Sequence, residues 1–261
     1  KNQGRDYQEV MSDRQSYNAG GYTAEGVHIG QWHNALSYDE ETHFRSLEYL
    51  RARGNNPEPF MLVASYHHPH EPFHAPHEYW DLYEGAEIEI PEFPDDLDET
   101  YSMMDRCLNA YHGVTRFDLR RRESMERVRR GYYGVTTYMD EKLGSLLNTL
   151  TQTGLADNTI VVFASDHGDM LCEREMVQKR CFYEWSCRVP LIIRFPDRWQ
   201  AGSTIKTPVS LLDLLPTFAE IVGNDNLLPH DGVSLLPIIQ GDNMDRHILH
   251  RHTRLSVCRA S

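Results

Sequence analysis

The spacing of apolar positions changes several times along the chain, and each change marks an element. Over residues 37–53, Phe44, Leu47 and Leu50 recur at helical steps behind Asp39, Glu40 and Glu41, which suit the positive end of a helix dipole. Arg51 and Arg53 fall in the last turn, and Gly54 is the expected stop. Pro57-Glu-Pro59 punctuates, and Phe60-Met-Leu-Val-Ala-Ser65 is a continuous apolar run, the pattern of a fully buried strand such as one in a parallel sheet. Residues 85–101 are acidic, carry Pro91 and Pro94, and read as a surface excursion. The longest helical period covers residues 123–150, through Val128, Tyr132, Val135, Met139, Leu143, Leu146 and Leu150, with Gly154 as its stop. Thr159-Ile-Val-Val-Phe-Ala-Ser165 and Pro190-Leu-Ile-Ile-Arg-Phe195 predict a second and a third strand. A helix over residues 211–222 closes at Gly223, with Pro216 near its first turn.

Strand, helix, strand, strand, helix is an α/β order. Ligands of such sheets sit at the carboxyl ends of the strands, so chemistry is expected just after Ser65, Ser165 and Phe195. The expected organisation is an irregular segment over 1–36, one α/β domain over 37–241 and a divergent tail over 242–261. No internal repeat or low-complexity stretch interrupts it.

Composition narrows the function classes. The 261 residues carry 26 Lys and Arg against 39 Asp and Glu, a net charge of −13. That surplus opposes binding to nucleic acid or an anionic membrane surface. No apolar run approaches the roughly 20 residues that span a bilayer. Five cysteines, odd in number and without a C-x-x-C pair, are neither a disulfide framework nor a zinc ribbon. They point to a reducing, cytoplasmic compartment. The chain opens on Lys1 with no signal-like stretch, as expected of a fragment boundary.

Two loops concentrate chemistry. After Ser65 come His67, His68, His70, His74 and His77, with Pro69 and Pro72 fixing the backbone on either side of His70. A rigid loop at a strand end can hold a proton donor or a ligand; structural histidines on a surface loop are the plainer reading. After Ser165 comes Asp166-His-Gly-Asp-Met170, where Asp166 and His167 form half of a divalent-cation site and Gly168 lets the backbone turn. An Asp capping a helix beside a neighbouring His is the alternative. Thirteen residues beyond Asp166, Lys179 can return to grip an anion, or form a solvated pair with Arg180.

At these residues the chain resembles the sulfatases of the alkaline-phosphatase superfamily, and most of all choline-sulfatase-type enzymes. The carrying stretches are His68-Pro-His-Glu-Pro72, residues 159–171, Lys179, residues 182–191, Val209-Ser-Leu-Leu-Asp-Leu-Leu-Pro-Thr217 and Asp231-Gly-Val-Ser-Leu-Leu-Pro237. Residues 38–42, 104–113 and 170–173 support the choline-sulfatase likeness. The resemblance runs from about residue 38 to 241. It implies an alkaline-phosphatase-like mixed sheet flanked by helices, and hydrolysis of a small sulfate ester. It also implies a formylglycine hydrate nucleophile made from the Cys of a C-x-P-S-R motif, and a Ca²⁺ ion, with Mg²⁺ or Mn²⁺ as alternatives. Asp166 and His167 match the later pair of metal ligands, Lys179 the lysine on the sulfate, and His70 a histidine that contacts sulfate or protonates the leaving oxygen.

The sequence contains no C-x-P-S-R or S-x-P-S-R and no early Asp-Asp metal pair, both expected upstream of Lys1. After Gly241 it leaves the family pattern, notably over residues 246–254. The chain alone is therefore expected to lack turnover. Two alternatives remain open at this point. One is a phosphodiesterase or phosphonate monoester hydrolase of the same superfamily. The other is a non-catalytic module binding Zn²⁺ or Ni²⁺ through His67, His68, His70 and His74. A choline pocket needs aromatic faces, for which Trp80, Tyr111, Tyr183 and Trp185 are available.

Overall fold

The computed structural model describes residues 22–242, apart from 24, 57, 197 and 225, together with the backbone of 257–259. Most of the expected irregular segment and tail, the 246–254 stretch and Pro57 therefore lie outside the described residues. In chain order the helices are α1 (Asn34–Arg53), α2 (His77–Asp81), α3 (Leu97–Thr100), α4 (Met103–His112) and α5 (Arg122–Gln152). There follow β1 (Val161–Ala164), β2 (Met170–Leu171), β3 (Val177–Gln178), α6 (Glu184–Cys187), β4 (Leu191–Arg194), β5 (Pro208–Ser210), α7 (Leu214–Ile221), α8 (Leu236–Ile239) and β6 (Val257–Arg259). They fall into two compact units, Lys1–Leu155 with Asp169–Gln178, and Ala156–Gly168 with Lys179–Ser261.

In the first unit α1 begins three residues earlier than its period predicts and turns a mixed face inward: Ala35, Leu36, Asp39, His43, Ser46 and Leu50 are buried. Phe44, expected in the apolar stripe, is 55% exposed. The buried polar groups are tolerated because each is bonded, His43 to the Tyr66 hydroxyl at 3.0 Å and Ser46 to the Thr42 carbonyl at 2.8 Å. Gly54 does end the helix, in a right-handed conformation; a Cβ there would lie 2.9 Å from Thr153. The strand expected over 60–65 pairs with no described segment, and Met61 and Val63 are 72% and 73% exposed. An apolar run becomes a strand only when a neighbour completes its backbone ladder, which the run itself does not encode.

The 31-residue α5 matches its predicted span and buries Val128, Val135 and Leu150. Its Gly131 and Gly134 do what the periodicity did not reveal. A Cβ at Gly131 would come within 2.6 Å of the Phe73 carbonyl oxygen, and one at Gly134 within 2.7 Å of the Ala75 Cβ. The end of the histidine loop thus lies directly on the helix backbone. Beside it, Tyr22, Val27, Phe73, Ala75, Trp80, Met125, Val128, Leu171 and Val177 form the main core. The β2–β3 hairpin joins this core and is anchored by a buried ion pair between Arg129 and Glu173.

In the second unit β1 and β4 pair antiparallel, with Val161 opposite Arg194 and Ala164 opposite Leu191. The apolar runs predict buried strands, yet Phe163 and Ile192 are exposed. β5 pairs antiparallel with β6. Val209, Leu235 and Ile238 form a core with Leu191, Ile193, Ile205 and Leu214 around it. The helix predicted over 211–222 forms as a short 3-10 turn, Leu211–Asp213, followed by α7 with Pro216 buried in its first turn. Asp213 accepts from the Val233 amide and Thr217 from the Leu235 amide, each at 2.8 Å. These bonds tie the two later sequence landmarks together, and Gly232 permits the approach: a Cβ there would lie 2.1 Å from the Leu212 carbonyl oxygen. No helix among the described residues is long and apolar enough to cross a membrane.

Candidate functional site

The histidine loop is held from outside itself. Asp39 of α1, fully buried, accepts from the amides of His67 at 2.6 Å and His68 at 3.0 Å, and its Oδ2 lies 2.5 Å from the His68 Nδ1. Burial would raise the Asp39 carboxyl, but the bonds from the His68 ring and the two amides hold it below its ordinary value. The Gly30 amide donates to the Ala75 carbonyl at 2.9 Å, and the His28 amide to the His74 Nδ1 at 3.1 Å. Because that nitrogen accepts, the His74 ring is neutral with its proton on Nε2. Burial and the neighbouring His33, His28 and His68 rings pull His74 down to about 4.

His70 is one-third exposed, with Nδ1 at 2.9 Å from the Glu71 carbonyl oxygen and 3.0 Å from its carboxylate. A donor at Nδ1 makes Nε2 the nitrogen that can take or pass a proton. The His67 ring lies 4.7 Å from the His70 ring, and burial lowers the His67 pKa.

The Asp166 loop follows β1 in the other unit. Its shape comes from its own backbone: the Ser165 hydroxyl donates to the His167 carbonyl at 2.8 Å, and the His167 amide donates to the Asp166 Oδ1 at 2.9 Å. The Gly168 amide donates to the Ser186 carbonyl at 2.9 Å. A Cβ on Gly168 would sit 2.0 Å from the Trp185 carbonyl oxygen, so the loop requires glycine there. The His167 Nδ1 donates to the Gly168 carbonyl at 2.8 Å, so in the neutral ring Nε2 carries the lone pair. That Nε2 lies 3.6 Å from the Asp166 Oδ2, whose side chain is 84% exposed. One carboxylate oxygen and one imidazole nitrogen at this separation fit two corners of a divalent cation's shell.

Of the four site residues expected from sequence, His70 lies in the first unit, and Asp166, His167 and Lys179 in the second, with Lys179 half-buried just after β3. Asp166 and His167 are brought together; the His67, His68, His70 and His74 set is not grouped around one point, and His74, whose Nδ1 accepts from the His28 amide, has its proton on Nε2. Among the described residues no three His, Cys, Asp or Glu side chains are grouped to hold a metal.

The sequence reading missed His33. Its ring lies 5.2 Å from that of His68 and 5.5 Å from that of His74, and both its nitrogens are buried without a hydrogen-bond partner among the described residues. Burial, with His68 and His67 adding to it, pulls His33 down to about 4. It sits in a polar stretch without period, where only the cluster Gly30-Gln-Trp-His33 could have marked it. Of the aromatic residues, Trp80 and Tyr111 belong to one unit, Tyr183 and Trp185 to the other. Trp80 already has the Arg130 and Arg127 guanidinium groups 4.5 Å and 5.3 Å from its ring centre.

The chain is similar to known proteins. The sulfatase family model matches residues 2–224. The choline-sulfatase of Rhizobium meliloti is 39% identical over 236 residues, covering 86% of this chain and 44% of that protein. The arylsulfatase of Clostridium perfringens is 29% identical over 232 residues, covering 84% and 46% respectively. A phosphonate monoester hydrolase from Silicibacter pomeroyi has a similar structure, with a TM-score of 0.64 and 27% identity over 80% of this chain and 43% of that one. The chain spans less than half the length of these relatives, and with them it has part of an alkaline-phosphatase-like α/β architecture. With the family model covering most of its length, the chain belongs to the sulfatase family.

Proposed function

We propose that this chain is part of a sulfuric ester hydrolase acting on a small sulfate ester. The observation that carries the reading is the Asp166–His167 donor pair at the end of β1, in a chain of this family. In this reading Asp166 and His167 supply two ligands to Ca²⁺, with Mg²⁺ or Mn²⁺ as substitutes. Lys179 binds a sulfate oxygen, and His70 passes a proton from Nε2 to the leaving oxygen while Nδ1 stays on Glu71. Bound there, the cation would offset charge on the sulfate oxygens as the ester bond breaks. His33, half-buried and neutral at ordinary pH, would add a proton acceptor beside His68 and His74. A formylglycine hydrate would be the nucleophile, and the 261 residues contain no C-x-P-S-R from which to make it.

Calorimetry with Ca²⁺ on the purified chain tests the metal pair. Asp166→Ala is expected to weaken binding by about 10–100-fold. Unchanged affinity overturns the assignment and favours a histidine-loop metal module. The same chain is expected to release no sulfate from an aryl or choline ester, and measurable release would show that the nucleophile lies within it. The Silicibacter pomeroyi likeness keeps a phosphoryl substrate as the second reading. Rates on aryl phosphodiester and aryl sulfate, compared in a longer protein that carries the motif, separate the two.

A further inference from the structure

Asp39 makes more bonds than anchoring requires. A carboxylate in the second turn of a surface helix ordinarily faces water, yet Asp39 is buried with both oxygens turned to the histidine loop. Its bonds to the His67 and His68 amides would suffice to hold the backbone. The third contact, at 2.5 Å to the His68 Nδ1, does something else: facing a carboxylate, that nitrogen must carry the proton. In the neutral ring Nε2 then holds the lone pair. The ring is 5.2 Å from His33 and 5.7 Å from Tyr138, with its side chain almost wholly buried, so its polarity is set inside the protein.

We infer that Asp39 is a positioning residue that fixes His68 in its Nδ1-protonated form and so presents Nε2 as a proton acceptor within the His33–His68–His74 cluster. A buried carboxylate that sets the tautomer and orientation of an imidazole is a recurring device in proton transfer. What His68 contributes to turnover rests on the proposed hydrolase reading; its tautomer does not, and can be read without substrate.

The test is nitrogen-15 NMR of the full chain with labelled histidine rings, the His68 signals being assigned by their loss in His68→Gln. In the wild type Nδ1 is expected to be protonated, with its proton strongly deshielded. In Asp39→Ala, which removes the acceptor altogether, the Nδ1 proton is expected to lose its deshielding and the ring to populate both tautomers. His33→Ala should leave the Nδ1 proton in place. An unprotonated Nδ1 in the wild type overturns the inference whether or not any variant folds. So does an Asp39→Ala protein, cooperatively folded, whose His68 keeps the Nδ1 proton with its wild-type shift. Sulfate release is not the readout, so failure of the hydrolase reading leaves this result standing.

Discussion

The two loops that carry the candidate chemistry are built on opposite plans. The histidine loop is held by other elements: Asp39 of α1 grips its start, and the glycines of α5 let Phe73–Ala75 lie against the helix backbone. The Asp166 loop is held by itself and by the adjacent turn, through bonds from Ser165, His167 and Gly168, and leaves its carboxylate in solvent. The first is ordered before anything binds, because its polar groups are buried and must be satisfied by the fold. The second has an ordered backbone and an outward-facing charge.

That contrast can be broken most severely at Asp39. Asp39→Ala leaves two amides and a buried imidazole without their acceptor and is expected to cost about 3–5 kcal/mol. Urea unfolding measures it; a loss under about 1 kcal/mol would mean the loop is held elsewhere. Gly168→Ala tests the other plan. With its new Cβ at 2.0 Å from the Trp185 carbonyl oxygen, it should cost about 1–3 kcal/mol and move the loop, whatever metal is present.

A smaller effect separates the loops by pH. His33 and His74 are lowered from 6.5 to about 4, so between those values the unfolded chain takes up protons that the folded rings refuse. Their stability is fully present above about 6.5 and drains as pH falls toward 4; Asp39, held below its ordinary carboxyl value, adds its own loss at the acid end. Melting temperature against pH should show this slope, and His33→Gln should flatten part of it. The smallest change is expected from Asp166→Ala without metal, within about 0.5 kcal/mol, because its carboxylate is exposed. A large loss there would erase the distinction between the two plans.

Much of this molecule is legible in one dimension. The span of α5, the closure of the 211–222 helix at Gly223, the pairing of Asp166 with His167 and the family itself follow from periodicity, stop residues and short strings. Less local features do not. Asp39 looked like a dipole-facing acid, Phe60–Ser65 like a buried strand, and His33 like part of a loop. The spacing of residues could state that 66–77 and 166–170 bear chemistry; it could not state which histidines are held, or by what. Asp39 reaches partners 28 and 29 positions away, β1 lies antiparallel to β4, and His33 meets His68 across the fold. Periodicity reports which face of an element is apolar, whereas the partner of a buried polar group is chosen only when distant segments pack and exclude water from it.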